Sequence, residues 1–393
     1  MAGIDAPVSI TDLAYGGDGV GHLNGKVIFV PGVLPGEVAT VIVTQDKKRF
    51  SKGTCVDLIS PSAHRCSPAC SVAKECPGCA YQHLTYEQEL TWKQKQLCGL
   101  LLRIGKVDHV PDFTPVAAPA ALAYRNKIVL HADGEEHLGY LGHDNRTVVN
   151  IQDCPLAVEP IRGAIRKFRE EHLTQLRAGD HVTFRWTDHD GVVSWVNQDA
   201  PQQSLTEGVD GVAWQVPAVG FWQVNPAATS LLLKTVLHMV DGCAYRYLMD
   251  LYCGAGLFAL SLSQDGIHTL GVELDYEAIR AAKANARQQN KSDVKFVQGD
   301  AGKVYPHAQE AVAPAETLVL VDPPRRGLEK QLLAQLTGAH GPRYVLYVSC
   351  AADTLARDCL SLATAYDIRR VQMVNMFPRT AHFETVMLFE RRA

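Results

Sequence analysis

The chain reads as an α/β protein: a doubly wound, Rossmann-like domain, preceded by a small N-terminal β-barrel and a mixed central region with a cluster of cysteines. Three observations predict this. From about Asn225 onward, apolar runs of strand length alternate with helical patterns, the succession that builds a parallel sheet covered on both faces. Residues 8–60 alternate apolar and polar positions between GGDG, NG and PG turns, as short strands joined by tight turns do. Between these regions lie three closely spaced cysteines, Cys70, Cys76 and Cys79.

Length and composition set the frame. A chain of 393 residues suits two or three domains. Hydrophobic residues make up 47% and charged residues 20%, the balance of a water-soluble globular protein. No apolar run approaches the ~18 residues that a membrane helix needs. The segment MAGIDAPVSI has no basic stretch followed by an apolar one, so no secretory signal is expected and the expected compartment is the cytoplasm. Eleven cysteines in such a reducing compartment point to metal ligation or catalysis rather than disulfides. The net charge of −4 does not mark a nucleic-acid binder, so any such binding must rest on local patches.

Taken in order, residues 1–60 are expected to form a five-stranded barrel. Its Gln45–Lys52 segment, QDKKRFSK, is a basic loop carrying Phe50, a combination that suits a phosphate backbone and one stacked base. The central region spans 61–215. Residues 60–79 are loop-like, 81–104 have helical periodicity with a start at Thr85, and 124–215 read as mainly antiparallel strands with one helix near 159–176. Residues 216–393 form the doubly wound domain. Helices are expected at 226–240, 256–265, 276–290, 328–337 and after Cys350, and strands at 246–252, 267–273, 294–298, 317–321 and 343–348.

Cys70, Cys76 and Cys79 are spaced C-x5-C-x2-C, with Cys154 far downstream in QDCPL. Three close thiols and a remote one make a four-thiolate set that zinc and an iron–sulfur cluster both accept. A zinc ribbon normally shows two CxxC pairs. The single pair here, with the uneven spacing before it, better suits a [4Fe–4S] cluster with a structural role. Cys66 either replaces one of these ligands or stands by.

In the C-terminal domain, DLYCGAG places Gly254 and Gly256 at the end of the first strand, where small residues let a ligand approach the backbone. Glu273 ends the next strand, as an acid that holds a ribose diol does. Asp300 follows the third strand, where a carboxylate can accept from an adenine amino group. No third glycine completes GxGxxG, which argues against a dinucleotide. DxxxGxG followed by a strand-end acid is the pattern of S-adenosylmethionine enzymes. The fourth strand ends in Asp322-Pro323-Pro324-Arg325. Arg325 stands where amino-group methylases carry a base-stacking aromatic, which disfavours that chemistry. Finally, YVSC puts Cys350 at a strand-to-helix turn. A strand-end cysteine is more often a packed core residue, but helix amides there would favour the thiolate, making Cys350 a candidate nucleophile.

Together these residues resemble the RNA 5-methyluridine methyltransferases that use S-adenosylmethionine, over almost the whole chain. Residues 8–60 resemble that family's TRAM RNA-binding barrel, an OB-like fold, and CSVAKECPGCAYQH its iron–sulfur motif. FWQVN, DLYCGAG, GVE, GD, DPPRRG, YVSCAADTLARD and MFPRTAHFE resemble its catalytic motifs in order. The resemblance implies that Gln223, Tyr252, Glu273, Asp300 and Asp322 contact the cofactor, that Cys350 is the nucleophile and that Glu384 is the general base. It implies action on a single-stranded or loop uridine, in 23S ribosomal RNA by family analogy, and the protein is expected to be a monomer. Transfer RNA is the alternative substrate. A non-catalytic, RNA-binding or redox-sensing iron–sulfur protein is the alternative class. The chain departs from the family pattern at Ala351 and Ala352, usually Asn-Pro, at Pro77, usually glycine, and in the extra Cys66.

Overall fold

The computed structural model describes residues 5–392, so the first four residues of the expected barrel segment lie outside the description. Strands β1 (Asp5–Leu13), β2 (Gly19–Leu23), β3 (Lys26–Val30), β4 (Val38–Asp46) and β5 (Phe50–Ser60) close into a barrel in the order β1-β2-β3-β5-β4. Alternation fills it: Val8, Ile10, Ile28, Val30, Ala39 and Val41 point inward and are buried, while their neighbours face solvent. In the basic loop, Phe50 packs edge-on against Phe29 with ring centroids 5.7 Å apart, so one face of the expected stacking ring is already occupied.

Helix α1 (Tyr86–Arg103) begins after Thr85, as the sequence suggests. Its apolar face does not serve the central region. Leu97, Leu100 and Leu101 are buried in the core of the C-terminal domain, where each contributes roughly 2 kcal/mol of transfer free energy. The central sheet, β6 (Lys127–Ala132), β7 (Leu138–Leu141), β8 (Val148–Asn150), β9 (His181–Thr187) and β10 (Gly191–Val196), is ordered β10-β9-β6-β7-β8 and antiparallel throughout. Helix α2 (Glu159–His172) covers it through Ile161 and Ile165. The expected boundary at 215/216 falls inside a hairpin, β11 (Ser204–Val209) and β12 (Val212–Pro217). Leu205, Val209, Trp214 and Val216 of that hairpin belong to the C-terminal core. Turn signals mark the hairpin but not the sheet it packs on.

The C-terminal sheet has seven strands: β13 (Tyr247–Asp250), β14 (His268–Glu273), β15 (Lys295–Gln298), β16 (Thr317–Val321), β17 (Tyr344–Ser349), β18 (Tyr366–Val374) and β19 (Glu384–Arg391). Their order is β15-β14-β13-β16-β17-β19-β18. The first five run parallel, and β19 enters antiparallel between β17 and β18. Helix α3 (Pro226–Met239) precedes β13, and α4 (Leu257–Leu262), α5 (Tyr276–Gln288), α6 (Ala301–Glu310), α7 (Lys330–Thr337) and α8 (Ala352–Leu362) connect the successive strands. Helix α6 was not expected, because Gly302 and Pro306 mask its pattern. Every residue of β16 and β17 is buried, as in the centre of a sheet covered on both faces. Among the described residues, no helix is long and apolar enough to cross a membrane.

The barrel is docked rather than tethered. Gln96 of α1 donates through Nε2 to the carbonyls of Leu13 and Ala14, at 3.3 and 2.9 Å. Gly17, at φ +101, lies so close to Ala80 that a Cβ would stand 2.8 Å from the alanine methyl, so only glycine fits both the conformation and the contact.

Candidate active site and cysteine-lined cavity

The carboxyl ends of the parallel strands form the crevice in which ligands of open α/β sheets bind. Gly254, at φ +51, faces open space where a Cβ would stand, and Gly256, at φ +90, leads into α4 against Phe296. Glu273 holds this turn. One carboxylate oxygen accepts from Gly254 N at 3.1 Å, and the other from Leu274 N and Asp275 N at 2.7 and 2.9 Å. Asp300 caps α6, accepting from Lys303 N at 3.2 Å. Both acids therefore have a structural task in addition to the contacts expected of them. Asp250 is fully buried and accepts from Ala259 N at 3.1 Å, and its other oxygen has no partner. Burial, with Asp322 next in effect, pushes Asp250 up to about 8. Tyr252 is half-buried and pushed up to about 12, first by burial and then by Glu329 and Asp300. Gln223 is buried in the segment leading to α3, whose cap Asn225 accepts from Ala228 N at 3.2 Å.

Cys350 and Glu384 meet one strand further along. Strands β17 and β19 pair as far as Ser349 with Thr385, and the next step of that register sets Cys350 opposite Glu384. Glu384 is 4% exposed, and its Oε2 has no hydrogen-bond partner. A buried, unsatisfied carboxylate oxygen is costly and calls for a ligand or a proton. Burial pushes Glu384 up to about 8, against the opposing pull of Arg325. Asp322 is raised well above its ordinary range by its surroundings, then by Glu384 and Glu273. Cys350 is pushed up to about 12 by burial first, then by Glu384 and Asp322, with Arg325 opposing. The sequence led us to expect the reverse, a thiolate favoured by the start of α8. The helix terminus contributes at most ~2 kcal/mol at a partly buried site, and burial beside two acids outweighs it.

The crevice thus gathers four carboxyls, Asp250, Glu273, Asp322 and Glu384, with the Arg325 guanidinium beside Glu384. Such a donor set suits a ligand with a positive charge, and the open space before Gly254 suits close approach of that ligand to the backbone. Both features fit S-adenosylmethionine, a sulfonium.

The segment leading to Glu384 is held from α1. Lys93 and Glu89 form a 2.8 Å ion pair with both side chains 0% exposed. Lys93 Nζ also donates to Asn375 Oδ1 at 2.8 Å and to His382 O at 3.0 Å. Glu89 accepts from Asn375 Nδ2 at 3.1 Å and from Arg379 N at 3.0 Å. Arg379 sits at φ +68, a strained state for a side-chain-bearing residue that persists only when its surroundings fix it. An i, i+4 Glu–Lys pair in a helical pattern reads as a surface pair, so nothing in the sequence signals this clamp.

All four expected metal ligands line one cavity of about 260 Å³. Cys70, Cys76, Cys79 and Cys154 share it with Arg325, Phe377, Thr380 and His382, which makes the cavity adjacent to the active crevice. Burial, then proximity to one another, raises the thiols of Cys70, Cys76 and Cys79, the last to about 12. Gln82 Nε2 donates to Cys79 Sγ at 3.5 Å, and Tyr140 O–H to Cys154 Sγ at 3.7 Å. Cys66 is not in the lining; its thiol donates to Gln82 O at 3.6 Å. Tetrahedral zinc, with Zn–S of ~2.3 Å, draws its sulfurs to about 3.8 Å of one another. Among the described residues, no three thiols lie with all sulfurs within 4.8 Å. The wider set fits a cluster better than a single ion.

Comparison with known proteins gives a consistent result. The tRNA (uracil-5-)-methyltransferase family model matches residues 194–392, and the TRAM domain model residues 3–56. An uncharacterized RNA methyltransferase of Clostridium tetani is 29% identical, over 96% of this chain and 95% of its own. Another, of Halalkalibacterium halodurans, is 30% identical over 98% and 96%. The structure of the Pyrococcus abyssi tRNA (uracil-54, C5)-methyltransferase in complex with S-adenosyl-L-homocysteine superposes with a TM-score of 0.74, at 24% identity, over 98% of this chain and 99% of that one.

Proposed function

We propose, for a chain that belongs to the tRNA (uracil-5-)-methyltransferase family and carries a TRAM domain, that Cys350 and Glu384 are the nucleophile and base of methyl transfer to a uridine. The activity is that of an S-adenosylmethionine-dependent RNA (uracil-5-)-methyltransferase. The observation that carries the residue assignment is the unpartnered, buried carboxyl group of Glu384, one register step from the Ser349–Thr385 pair and so beside Cys350.

C5 of uracil is too weak a nucleophile to take a methyl group unaided. Addition of the Cys350 thiolate to C6 forms an S–C6 bond and displaces the C5–C6 electron pair into an enolate, which makes C5 nucleophilic. S-Adenosylmethionine, when bound, supplies the electrophilic methyl group. C5 then carries both methyl and hydrogen. Glu384 removes that proton, the C5–C6 double bond re-forms, and Cys350 departs as thiolate. Arg325 stabilises the thiolate against the two acids that oppose it. Gly254 and Gly256 admit the cofactor, and Gln223, Tyr252, Glu273, Asp300 and Asp322 are its proposed contacts. The uridine must leave its stack to reach Cys350, at a cost of a few kcal/mol, and the barrel's basic loop offsets this by holding flanking single-stranded RNA.

The proposal extends to a [4Fe–4S] cluster held by Cys70, Cys76, Cys79 and Cys154 in a structural role, supported by their shared cavity. It also extends to a monomeric, cytoplasmic enzyme. The proposed substrate is 23S ribosomal RNA. Transfer RNA is the second reading, favoured by the description of the matching family model. Mapping 5-methyluridine in ribosomal and transfer RNA from a strain lacking the gene separates them. Loss at a 23S site, restored by the wild-type gene but not by Cys350→Ala, is expected. Loss in transfer RNA alone selects the second reading, and no loss in either overturns the assignment.

A further inference from the structure

We propose that Tyr15, which the barrel contributes, is a positioning residue that fixes the nucleophile turn and the base segment together. The inference rests on the reading of Cys350 and Glu384 as the reacting pair. Tyr15 lies in the turn between β1 and β2. Its hydroxyl oxygen accepts from Ala352 N at 3.3 Å, across 337 positions of sequence. Ala352 is the first residue of α8 and follows Cys350 by two. Its amide is one of the first-turn donors that have no partner inside a helix. Ala351, at the cap position, has no side chain with which to satisfy them. The ring of Tyr15 meets Phe383 edge-on, with centroids 6.0 Å apart at 82°, and Phe383 immediately precedes Glu384. One side chain therefore touches the chain just after the nucleophile and just before the base.

Tyr15 is itself immobilised. Its neighbours Leu13 and Ala14 are tied to Gln96 of α1, and Gly17 is seated on Ala80. Burial pushes the Tyr15 hydroxyl up to about 12 against the opposing amide of Ala352, so it remains a neutral acceptor at working pH. The barrel thus does more than grip RNA: a displacement of the barrel would move the turn that aims Cys350.

The test uses the full-length, cofactor-loaded protein and two substitutions that delete one hydrogen bond from its two ends. Tyr15→Phe keeps the ring and loses the acceptor. Ala352→Pro loses the donor at the first helical position, where proline is well tolerated, and Ala351 already has the extended backbone, φ −134, that precedes proline readily. Each single variant is expected to lower kcat by about 3- to 10-fold, the worth of one hydrogen bond, with KM for RNA unchanged. The double variant is expected to be no slower than the slower single, since the two changes remove the same interaction. A rise in KM with kcat unchanged would show that Tyr15 serves RNA binding instead. Wild-type kinetics in both singles, or losses that multiply, would equally overturn the inference. Cys350→Ala is assayed in parallel: turnover there sinks the nucleophile reading, whereas an inactive Cys350→Ala beside an unaffected Tyr15→Phe sinks only this inference.

Discussion

Cys350 and Glu384 stand opposite each other at the end of an antiparallel ladder, one step beyond the Ser349–Thr385 pair. Residues so placed project on the same side of the sheet with Cβ atoms about 5 Å apart. That separation lets one group address C6 of a pyrimidine while the other addresses C5. The reversed strand β19 is what makes this possible, because it carries Glu384 back to the mouth of the parallel strand that leads into Cys350.

Cys350→Ala should abolish methyl transfer while leaving S-adenosylmethionine affinity within a few-fold of wild type, because the cofactor crevice is built by other strand ends. Equilibrium binding and single-turnover assays on the same preparation check this. Substantial turnover by the alanine variant would remove Cys350 from the mechanism.

Protein isolated without oxygen should be brown and contain about four irons per chain. Cys154→Ser should lose the iron, since Cys154 lines the cavity, and Cys66→Ser should keep it, since Cys66 does not. Metal analysis finding one zinc and no iron, or the reverse pattern between the two serines, would show the ligand set to be wrong.

Lys93→Met should destabilise the protein by about 3–5 kcal/mol, because it leaves the buried Glu89 with only the more distant Arg379 guanidinium, at 3.6 Å, as counter-charge. Urea unfolding measures this. Adding Glu89→Gln should recover part of the loss. A cost below about 1 kcal/mol would mean that the clamp on residues 375–382 lies elsewhere.

Stability of the ligand-free protein should fall with rising pH. Glu384 rises from an ordinary 4.5 to about 8, and Asp250 from 3.8 to about 8. Each carboxyl keeps its proton in the fold after the unfolded chain has released its own. Their contribution is therefore whole below about pH 4 and is lost as pH climbs through about 8. Melting temperatures between pH 5 and 8.5 should decline more steeply for wild type than for Glu384→Gln. Parallel profiles would show that Glu384 is not held protonated.

Much of the architecture was legible in the sequence, because parallel strands buried on both faces leave uninterrupted apolar runs such as those of β16 and β17. The strand-end residues Gly254, Glu273, Asp300 and Asp322 were legible for the same reason, since each stands where such a run stops. Glu384 was not legible from its own surroundings. Only its resemblance to a known motif singled it out, because the register that brings it to Cys350 is a property of the folded sheet. Lys93 and Glu89 looked like a solvated pair, and the burial that makes them a clamp comes from packing against a segment near the C-terminus. Tyr15 had no signal at all, being a turn residue whose partner is a backbone amide in another domain. The helix terminus expected to favour the Cys350 thiolate is opposed first by burial and then by Glu384 and Asp322, none of which shows in the local sequence.

Whether Glu384 removes the C5 proton after the methyl group has been transferred is decided by trapping. Elimination of Cys350 requires that proton to leave first, and glutamine cannot accept it. Glu384→Gln, incubated with labelled substrate RNA and S-adenosylmethionine, should therefore accumulate a protein–RNA adduct that survives a denaturing gel. The adduct should carry the transferred methyl group and vanish when Cys350→Ala is added. Normal turnover by Glu384→Gln, or loss of activity without any adduct, would assign the base to another residue.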